Sequence, residues 1–196
     1  MKLKILKAKN TKIIKGPAII TPELFEDKRG YFYELWNQSE FNELIGEKIN
    51  FIQDNISFSM KGVLRGLHYQ LSPNIQSKLI TCLKGAIFDV AVDLRRESKT
   101  FGLYCCAYLN QENKNQFWIP NGFAHGFLTL VDNTKVHYKV KGLRDIKSER
   151  AIKWDDPNIA INWPILENNI DKLILSNKDE IAPNFDYVIK SEDYFI

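Results

Sequence analysis

The residues best suited to acid–base chemistry lie close together in the sequence. In the segment Leu64–Tyr69, the cation Arg65 and the imidazole of His68 stand near the end of a predicted strand, and Lys78 follows in the next apolar run. A histidine that can accept a proton, close to fixed positive charge, is suited to removing hydrogen from a carbon next to a carbonyl. The chain has three histidines, which are His68, His125 and His137.

His125 and Tyr138 are the other candidates for acid–base chemistry. His125 lies between Ala124 and Gly126, where small neighbours let a ligand or a second backbone approach closely. A single histidine in such a run is more often structural than catalytic, so both roles stay open. Tyr138 shares one face of a predicted strand with two valines. Its hydroxyl is either a hydrogen-bonded core group or, if that face lines a pocket, a weak acid acting opposite His68.

The run Ala86–Arg95 carries two carboxylates on one face of a predicted strand. Residue alternation puts Asp89 and Asp93 on the same side, opposite a row of apolar side chains. Burying an unpaired carboxylate is costly, so this face must meet water, cations or a polar cavity. The strand pattern alone leaves a solvated outer face and a polar cavity equally open.

The elements that position these residues are predicted to be short strands, because β-branched and aromatic runs alternate with Gly, Pro, Asn and Asp. So many closely spaced strands indicate an all-β sandwich or barrel. The predicted strands are Pro17–Thr21, Tyr31–Trp36, Ile49–Ser59, Gly62–Tyr69, Lys78–Lys84, Ala86–Leu94, Phe101–Leu109, Asn115–Ile119, Ala124–Leu130 and Thr134–Val140.

One short helix and a covering tail complete the predicted organisation. Ser39 is a candidate N-cap and Gly46 a candidate left-handed stop, because the apolar residues between them share a helical face. Beyond Trp154, the turn signals Asp155–Pro157 and Asn162–Pro164 predict irregular structure that covers the barrel. The length of 196 residues fits one domain, residues 1–196.

Composition narrows the classes of function. The formal net charge of +3 gives no excess typical of a surface that binds nucleic acid or membranes, whereas anionic small molecules remain compatible. Three cysteines without CxxC spacing predict buried free thiols in a reducing compartment. Because neither a signal-peptide core nor a membrane-length apolar run is found, we expect a cytoplasmic protein.

A metal site is not favoured by the sequence. Small β-barrels often bind metals through several histidines and a carboxylate, but this chain has no His-x-His pair and its three histidines are widely separated. We therefore predict chemistry without a metal.

Taken together, these residues resemble the dTDP-4-dehydrorhamnose 3,5-epimerase family of RmlC-like cupins. The matching segments follow the family's order through nearly the whole chain, and their combination is highly specific. They are Asp27–Phe32, Phe51–Asn55, Val63–Gln70, Phe88–Arg95, Trp118–Phe127, Tyr138–Lys139, Trp154–Pro157, Asn162–Pro164 and Leu175–Asp179.

The resemblance implies a cupin-type jelly-roll barrel, a homodimer that exchanges N-terminal strands, no metal or organic cofactor, and a nucleotide-linked 4-keto-6-deoxy sugar as substrate. By motif position, it implies that His68 is the base, Asp179 the carboxylate that orients it, and Tyr138 the acid on the opposite face of the sugar. Lys78 would face the ketone oxygen. The implied substrate contacts are Arg29, Glu34, Gln53, Asn55, Arg65, His125, Glu149 and Lys178.

One position departs from the family pattern. Six residues after Tyr138, where the family usually has a tyrosine that stacks on the thymine, this chain has Arg144. A guanidinium can also stack on a base and adds charge and hydrogen bonds. A solvated loop arginine is the other interpretation, because loops vary freely. The nucleotide is therefore less firmly predicted than the chemistry.

The leading hypothesis is an isomerase that inverts carbons 3 and 5 of dTDP-4-dehydro-6-deoxy-D-glucose in L-rhamnose biosynthesis. A related enzyme could use another nucleotide or invert carbon 3 only. A non-catalytic sugar-binding cupin would be favoured by loss of the base or the acid, but His68 and Tyr138 are both present. A metal-dependent cupin oxygenase or isomerase would need clustered histidines.

Overall fold

The structure, a computed structural model, describes residues 1–8 and 12–196. Two antiparallel sheets pack face to face and form a jelly-roll barrel, which is the predicted fold class. In order across it, the six-stranded sheet contains β1 (Lys2–Lys7), β2 (Ile13–Thr21), β10 (Gln116–Ile119), β7 (Ser77–Lys84), β12 (Thr134–Lys141) and β5 (Gln53–Ser59). The five-stranded sheet contains β13 (Glu149–Ala151), β6 (Leu64–Gln70), β11 (Phe123–Thr129), β8 (Ala86–Asp93) and β9 (Tyr104–Asn110). The remaining elements are the hairpin β3 (Phe25–Asp27) and β4 (Gly30–Phe32), and the helices α1 (Gln38–Ile45), α2 (Asn177–Glu180) and α3 (Phe185–Lys190).

The barrel interior is built from the inward-facing residues of both sheets. Alternate side chains from β7, β8, β9, β10, β11 and β12 meet there, including Ile80, Ile87, Phe117, Phe127 and Val136, each at most 1% exposed. This apolar core fills the barrel beside the polar cavity described below and fixes its walls.

The C-terminal segment covers the outer face of the five-stranded sheet, as predicted. Phe88, Val90 and Val92 of β8 pack there in one buried cluster with Trp163 and Phe185 of the tail. The sheet is therefore buried on both faces. A solvated outer face for the carboxylates of β8 is excluded, because the face opposite the tail is the barrel interior.

The two carboxylates of β8 are satisfied in different ways. Asp93 is fully buried at the end of the strand, where it accepts hydrogen bonds from Arg95, Ser98 and Thr100. Asp89 is also fully buried, but it lies behind the cavity and pairs with His125.

Helix α1 covers part of the outer face of the six-stranded sheet. Phe41 is its buried residue and packs edge-on against Trp118 of β10, with ring centroids 5.3 Å apart. The predicted stop at Gly46 is confirmed by a φ of 72°. The predicted cap at Ser39 is wrong: Asn37 caps the helix by accepting hydrogen bonds from the backbone N–H groups of Ser39 and Glu40, because helical geometry already begins at residue 38.

The strand predictions were least accurate near the N-terminus. The first strand, Lys2–Lys7, was not predicted; most of its side chains are exposed, including the apolar Leu3 and Ile5, and it is added to the edge of the sheet by pairing with β2. The predicted strand Tyr31–Trp36 extends only to Phe32, and the predicted strand Ile49–Ser59 begins at Gln53. In both places the chain leaves the sheet to cover or flank α1, a long-range effect that local alternation does not encode.

The hairpin β3–β4 lies outside the barrel and is rich in exposed aromatic side chains. Phe25, Tyr31 and Phe32 are 55%, 58% and 67% exposed, and Ile56 and Phe58 form a second exposed apolar group on the outer face of β5. Apolar surface of this extent is typical of protein interfaces.

The cysteines are unpaired, as predicted, with Cys82 and Cys105 buried and Cys106 partly buried. Within the described residues, we find no helix with the length and apolar character needed to cross a membrane.

Candidate active site

A cavity of about 410 Å³ lies between the two sheets and below the C-terminal segment. It brings together all four residues that the resemblance implies as catalytic. His68 comes from β6 of the five-stranded sheet, whereas Lys78 and Tyr138 come from β7 and β12 of the other sheet. The full lining is Val63, Leu64, Arg65, His68, Lys78, His125, Phe127, Tyr138, Ile174, Leu175, Ser176 and Asp179.

His68 is paired with Asp179 of the tail, 111 residues away. Its Nε2 atom lies 2.5 Å from Oδ1 of Asp179, while Ser176, the N-cap of α2, donates to Oδ2 at 2.8 Å. Burial would raise the pKa of Asp179, but the bonds from His68 and Ser176 outweigh it and hold that pKa below its ordinary value. An ionised Asp179 keeps a proton on Nε2 of His68, which leaves Nδ1 to act on a substrate.

A local irregularity lets both Arg65 and His68 reach the cavity. They are three residues apart, so in a regular strand they would point to opposite faces. In the pairing with β11, however, His68 lies opposite His125 and Arg65 lies opposite Phe127. Three residues along β6 therefore span the same length as two residues along β11, which is a β-bulge in β6. Gly66 allows this bulge: its φ is +122°, and a Cβ there would lie 2.5 Å from the Cα of Gly126.

Tyr138 lies on the wall of the cavity that belongs to the other sheet. Its hydroxyl is 2.9 Å from Oγ of Ser57 on β5, and burial raises its pKa to about 12. A phenol with that pKa is protonated at neutral pH and can donate a proton. The strand alternation of the sequence is confirmed here, since His137 points to the outer face and meets Asp54.

Lys78 is one of the cations that line the cavity. Burial lowers the pKa of its ammonium to about 8, while the negative charge of Asp89 opposes the shift. Most Lys78 side chains are therefore still charged at pH 7. A positive group in a water-poor cavity is suited to stabilising a developing oxyanion.

His125 and Asp89 form a second histidine–carboxylate pair at the inner end of the cavity. Nε2 of His125 lies 2.6 Å from Oδ1 of Asp89, and both residues are buried. Burial lowers the pKa of His125 and raises that of Asp89. The face that carries Asp89 is therefore not solvated: it packs into the barrel interior, and Asp89 reaches the cavity only through His125.

Three charged residues that do not line the cavity form a cluster that we call the mouth triad: Arg144, Glu149 and Lys178. Glu149 accepts a hydrogen bond from Arg144 at 2.6 Å and one from Lys178 at 3.0 Å. These partners, Arg144 first, lower the pKa of Glu149 to about 2 despite partial burial. Arg144 lies in a loop, is 66% exposed and pairs with Glu149, so both interpretations of this arginine stay open.

Gln53 and Asn55 lie on β5, beside the strand that carries Tyr138. The Gln53 amide donates to Oδ1 of Asn55 at 2.9 Å, and strand alternation puts both on the same face as Ser57. They extend a polar row outward from Tyr138, although neither lines the cavity itself.

Arg29 and Glu34 are not brought to the cavity of their own chain. Arg29 is on the exposed hairpin and pairs with Asp27 at 2.5 Å, whereas Glu34 lies next to Asn37 at the start of α1.

Sequence reasoning left two functional neighbours of the site unnamed. Ser57 and Ser176 hold the hydroxyl of Tyr138 and the carboxylate of Asp179, respectively. Ser57 could have been found because it continues the alternating polar residues Gln53 and Asn55 of β5. Ser176 could have been found because a serine three residues before an acidic residue is a typical helix N-cap.

The described residues contain no group of three or more His, Cys, Asp or Glu side chains that could hold a metal ion. His68 and His125 each have a carboxylate partner instead. The cavity thus offers an imidazole, a phenol and two cations, Lys78 and Arg65, around a space large enough for a hexose.

A jelly-roll barrel that holds an imidazole and a phenol on opposite walls of its cavity is a cupin equipped with the groups that acid–base chemistry needs. Residues 11–187 match the family described as dTDP-4-dehydrorhamnose 3,5-epimerase. The chain belongs to this family of isomerases, as its sequence motifs predicted.

Individual relatives agree with this placement. The chain is 47% identical to a dTDP-4-dehydrorhamnose 3,5-epimerase of Shigella flexneri, over 91% of this chain and 93% of the relative. A crystal structure of dTDP-6-deoxy-D-glucose-3,5-epimerase RmlC from Legionella pneumophila in complex with dTDP-4-keto-L-rhamnose is 42% identical, with a TM-score of 0.88 and coverage of 99% and 98%. ChmJ, a 3'-monoepimerase from Streptomyces bikiniensis, is 28% identical, with a TM-score of 0.84 and coverage of 92% and 89%.

Proposed function

We propose that this protein converts dTDP-4-dehydro-6-deoxy-D-glucose to dTDP-4-dehydro-L-rhamnose by inverting carbons 3 and 5, a step of L-rhamnose biosynthesis. One observation carries the proposal: the His68–Asp179 pair and the Tyr138 hydroxyl lie on opposite walls of one cavity, with Lys78 in the same space. Inversion needs a base on one face of the sugar ring and an acid on the other, and this arrangement supplies both.

The first half of each inversion is proton removal. The C4 ketone acidifies the hydrogens on carbons 3 and 5. Nδ1 of His68 accepts the proton, and the electrons of the broken C–H bond form the enolate with its charge on the ketone oxygen. Asp179 stabilises the imidazolium, and the Lys78 ammonium stabilises the oxyanion.

The second half returns a proton from the opposite face. The Tyr138 hydroxyl gives its proton to the ring carbon, the ketone re-forms, and the phenolate is reprotonated from solvent while His68 releases its proton. Ser57 supports the phenolate by hydrogen bonding. The reaction is redox-neutral and moves only protons, so the proposal includes no metal or organic cofactor.

The nucleotide is proposed to extend from the cavity toward the mouth triad. Arg65 and Lys178 supply positive charge for the diphosphate, and His125 contacts the sugar inside the cavity. Gln53, Asn55, Arg144 and Glu149 would then contact the nucleoside.

The active form is proposed to be a homodimer in the cytoplasm. Exposed aromatic residues on the β3–β4 hairpin and exposed apolar residues on β5 support such an interface. Arg29 and Glu34 would reach the partner's cavity, which explains their distance from their own. Light scattering that gives the mass of a single chain would contradict this part.

The alternative is inversion at carbon 3 only. ChmJ, which has a similar fold, is described as a 3'-monoepimerase. That relative is 28% identical, against 47% for the Shigella flexneri 3,5-epimerase, which favours double inversion.

Proton NMR in deuterium oxide with dTDP- and GDP-linked 4-keto-6-deoxy sugars tests the proposal. We expect deuterium at both carbons of the dTDP sugar and formation of the L-rhamno product. Exchange at carbon 3 alone would favour the monoepimerase. Preference for the GDP sugar would show that the substrate carries GDP and not dTDP. No exchange with either sugar would indicate a binding protein. Activity that depends on stoichiometric metal would overturn the metal-free mechanism.

A further inference from the structure

We propose that Asp89, held by His125, is a positioning residue that keeps the Lys78 ammonium charged and directed toward the substrate's ketone oxygen. The inference rests on the proposed role of Lys78 and extends it to a residue outside the cavity lining. Asp89 would not touch the substrate and would act only through Lys78.

The two oxygens of the Asp89 carboxylate differ in their surroundings. Oδ1 accepts from His125 at 2.6 Å and from the backbone N–H of Val90 at 3.1 Å. Oδ2 is buried and has no hydrogen-bond partner among the described residues. Leaving a carboxylate oxygen in this state is costly unless nearby positive charge compensates for it.

Lys78 is the nearby positive charge that lacks a partner of its own. Across the described residues it forms no ion pair within 4.0 Å, and among the neighbouring charges that act on the pKa of its ammonium the charge of Asp89 is the strongest. The interaction therefore acts through space in a poorly screened interior. His125 fixes the carboxylate through Oδ1 and leaves Oδ2 for this interaction.

Asp93 shows what a purely structural carboxylate looks like on the same strand. It is equally buried, but Arg95, Ser98 and Thr100 satisfy it, and none of these partners lines the cavity, whereas His125, the partner of Asp89, does. The contrast between Asp93 and Asp89 is the reason to assign Asp89 to the site.

Other charges also act on this pair and are part of its pH dependence. The titratable or charged groups around Lys78 and Asp89 are Arg65 and His68 on β6, Cys82 on β7, Cys105 and Cys106 on β9, His125 on β11, Tyr138 on β12, Glu149 on β13, and Lys178 and Asp179 on α2. Asp89 itself is fully buried, and its ion-pair partner among the described residues is His125.

Asp89→Asn removes the charge and keeps the shape. Loss of a nearby opposite charge is expected to lower the pKa of Lys78 by roughly one unit. The ratio of wild-type to variant kcat would then be close to one at pH 6.5 and rise to about tenfold above pH 8.5, with KM little changed. A loss of packing alone would lower activity equally at all pH values.

Asp93→Asn is the matched control, because it removes a buried carboxylate from the same strand. It is expected to lower the thermal midpoint without moving the alkaline limb of the pH profile. Asp89→Ser, which leaves room for a water molecule, replaces the asparagine variant if that variant does not fold, with the same expectation.

The direct test is NMR titration of the protein labelled with ε-¹³C lysine, with the Lys78 signal identified by its loss in Lys78→Gln. We expect a midpoint of about 8 in the wild type and in Asp93→Asn, and a lower midpoint in the folded Asp89 variant. An unchanged midpoint in that variant would overturn the inference. Because the titration needs no substrate, it decides the role of Asp89 even if the protein fails to turn over the sugar.

Discussion

Replacement of Asp179 by asparagine isolates the contribution of one carboxylate to proton removal by His68. In the structure, the carboxylate is 3% exposed, lies 2.5 Å from Nε2 of His68, and is fixed from the other side by Ser176. Asparagine keeps the shape but removes the negative charge. Its amide can also present an N–H group to the ring, which would favour the wrong tautomer.

The expected loss follows from the type of bond that is removed. A hydrogen bond to a charged group contributes about 1.5–3 kcal/mol. Because each 1.36 kcal/mol is a factor of ten in rate, exchange should slow by about 10- to 150-fold. Ser176→Ala, which removes only the supporting bond to Asp179, should slow it by less than about tenfold.

Initial rates of deuterium incorporation at carbons 3 and 5, measured by proton NMR in deuterium oxide, give the result directly. Asp156→Asn is the matched control, because Asp156 is a buried carboxylate of the same tail that binds backbone N–H groups and does not line the cavity. It should change the thermal midpoint but not the exchange rate per folded molecule. If Asp179→Asn exchanges deuterium within a factor of two of the wild type, the proposed pair does not act as the base.

Four further predictions test other parts of the site. Tyr138→Phe should lower product formation by about 100-fold or more while deuterium exchange persists; equal loss of both in the NMR assay would contradict the two-face arrangement. Lys78→Gln should lower kcat/KM by about 10²- to 10³-fold, and a loss below tenfold would remove Lys78 from oxyanion stabilisation. Arg144→Ala should raise the KM for the dTDP sugar by about 3- to 30-fold with kcat unchanged, whereas an unchanged KM would leave Arg144 as a surface residue. Glu149 has a folded pKa of about 2 against an ordinary value of 4.5, so its charge stabilises the fold above pH 4.5, and this stabilisation is lost as the pH falls toward 2. In urea unfolding, the free energy of unfolding of Glu149→Gln should be about 1 kcal/mol below that of the wild type at pH 7, and this difference should vanish near pH 2. A difference that does not change with pH would refute the assignment.

Local sequence patterns predicted the residues that follow regular strand geometry. Alternation in β12 correctly separated Tyr138 from His137, and the turn residues marked most strand ends. The same alternation could not choose between a solvated face and a cavity for Asp89. That choice depends on the tail, which covers the opposite face of β8 from more than sixty positions further along the chain.

The remaining features of the site depend on long-range contacts or local irregularity. Strand spacing alone would put Arg65 and His68 on opposite faces, and the bulge at Gly66 reverses this. The partnership of His68 with Asp179 joins a strand to a short helix 111 residues later, which only the family resemblance indicated. Arg29 illustrates the opposite case, since the resemblance implied a substrate contact and the hairpin holds this residue away from its own cavity.

The most direct test of the whole account is a crystal structure of the protein with dTDP-4-dehydro-L-rhamnose bound. We predict that the sugar ring lies between His68 and Tyr138, with one on each face, and that the C4 oxygen lies about 3 Å from Nζ of Lys78. A ring that has both side chains on the same face, or a C4 oxygen directed away from Lys78, would contradict the proposed mechanism.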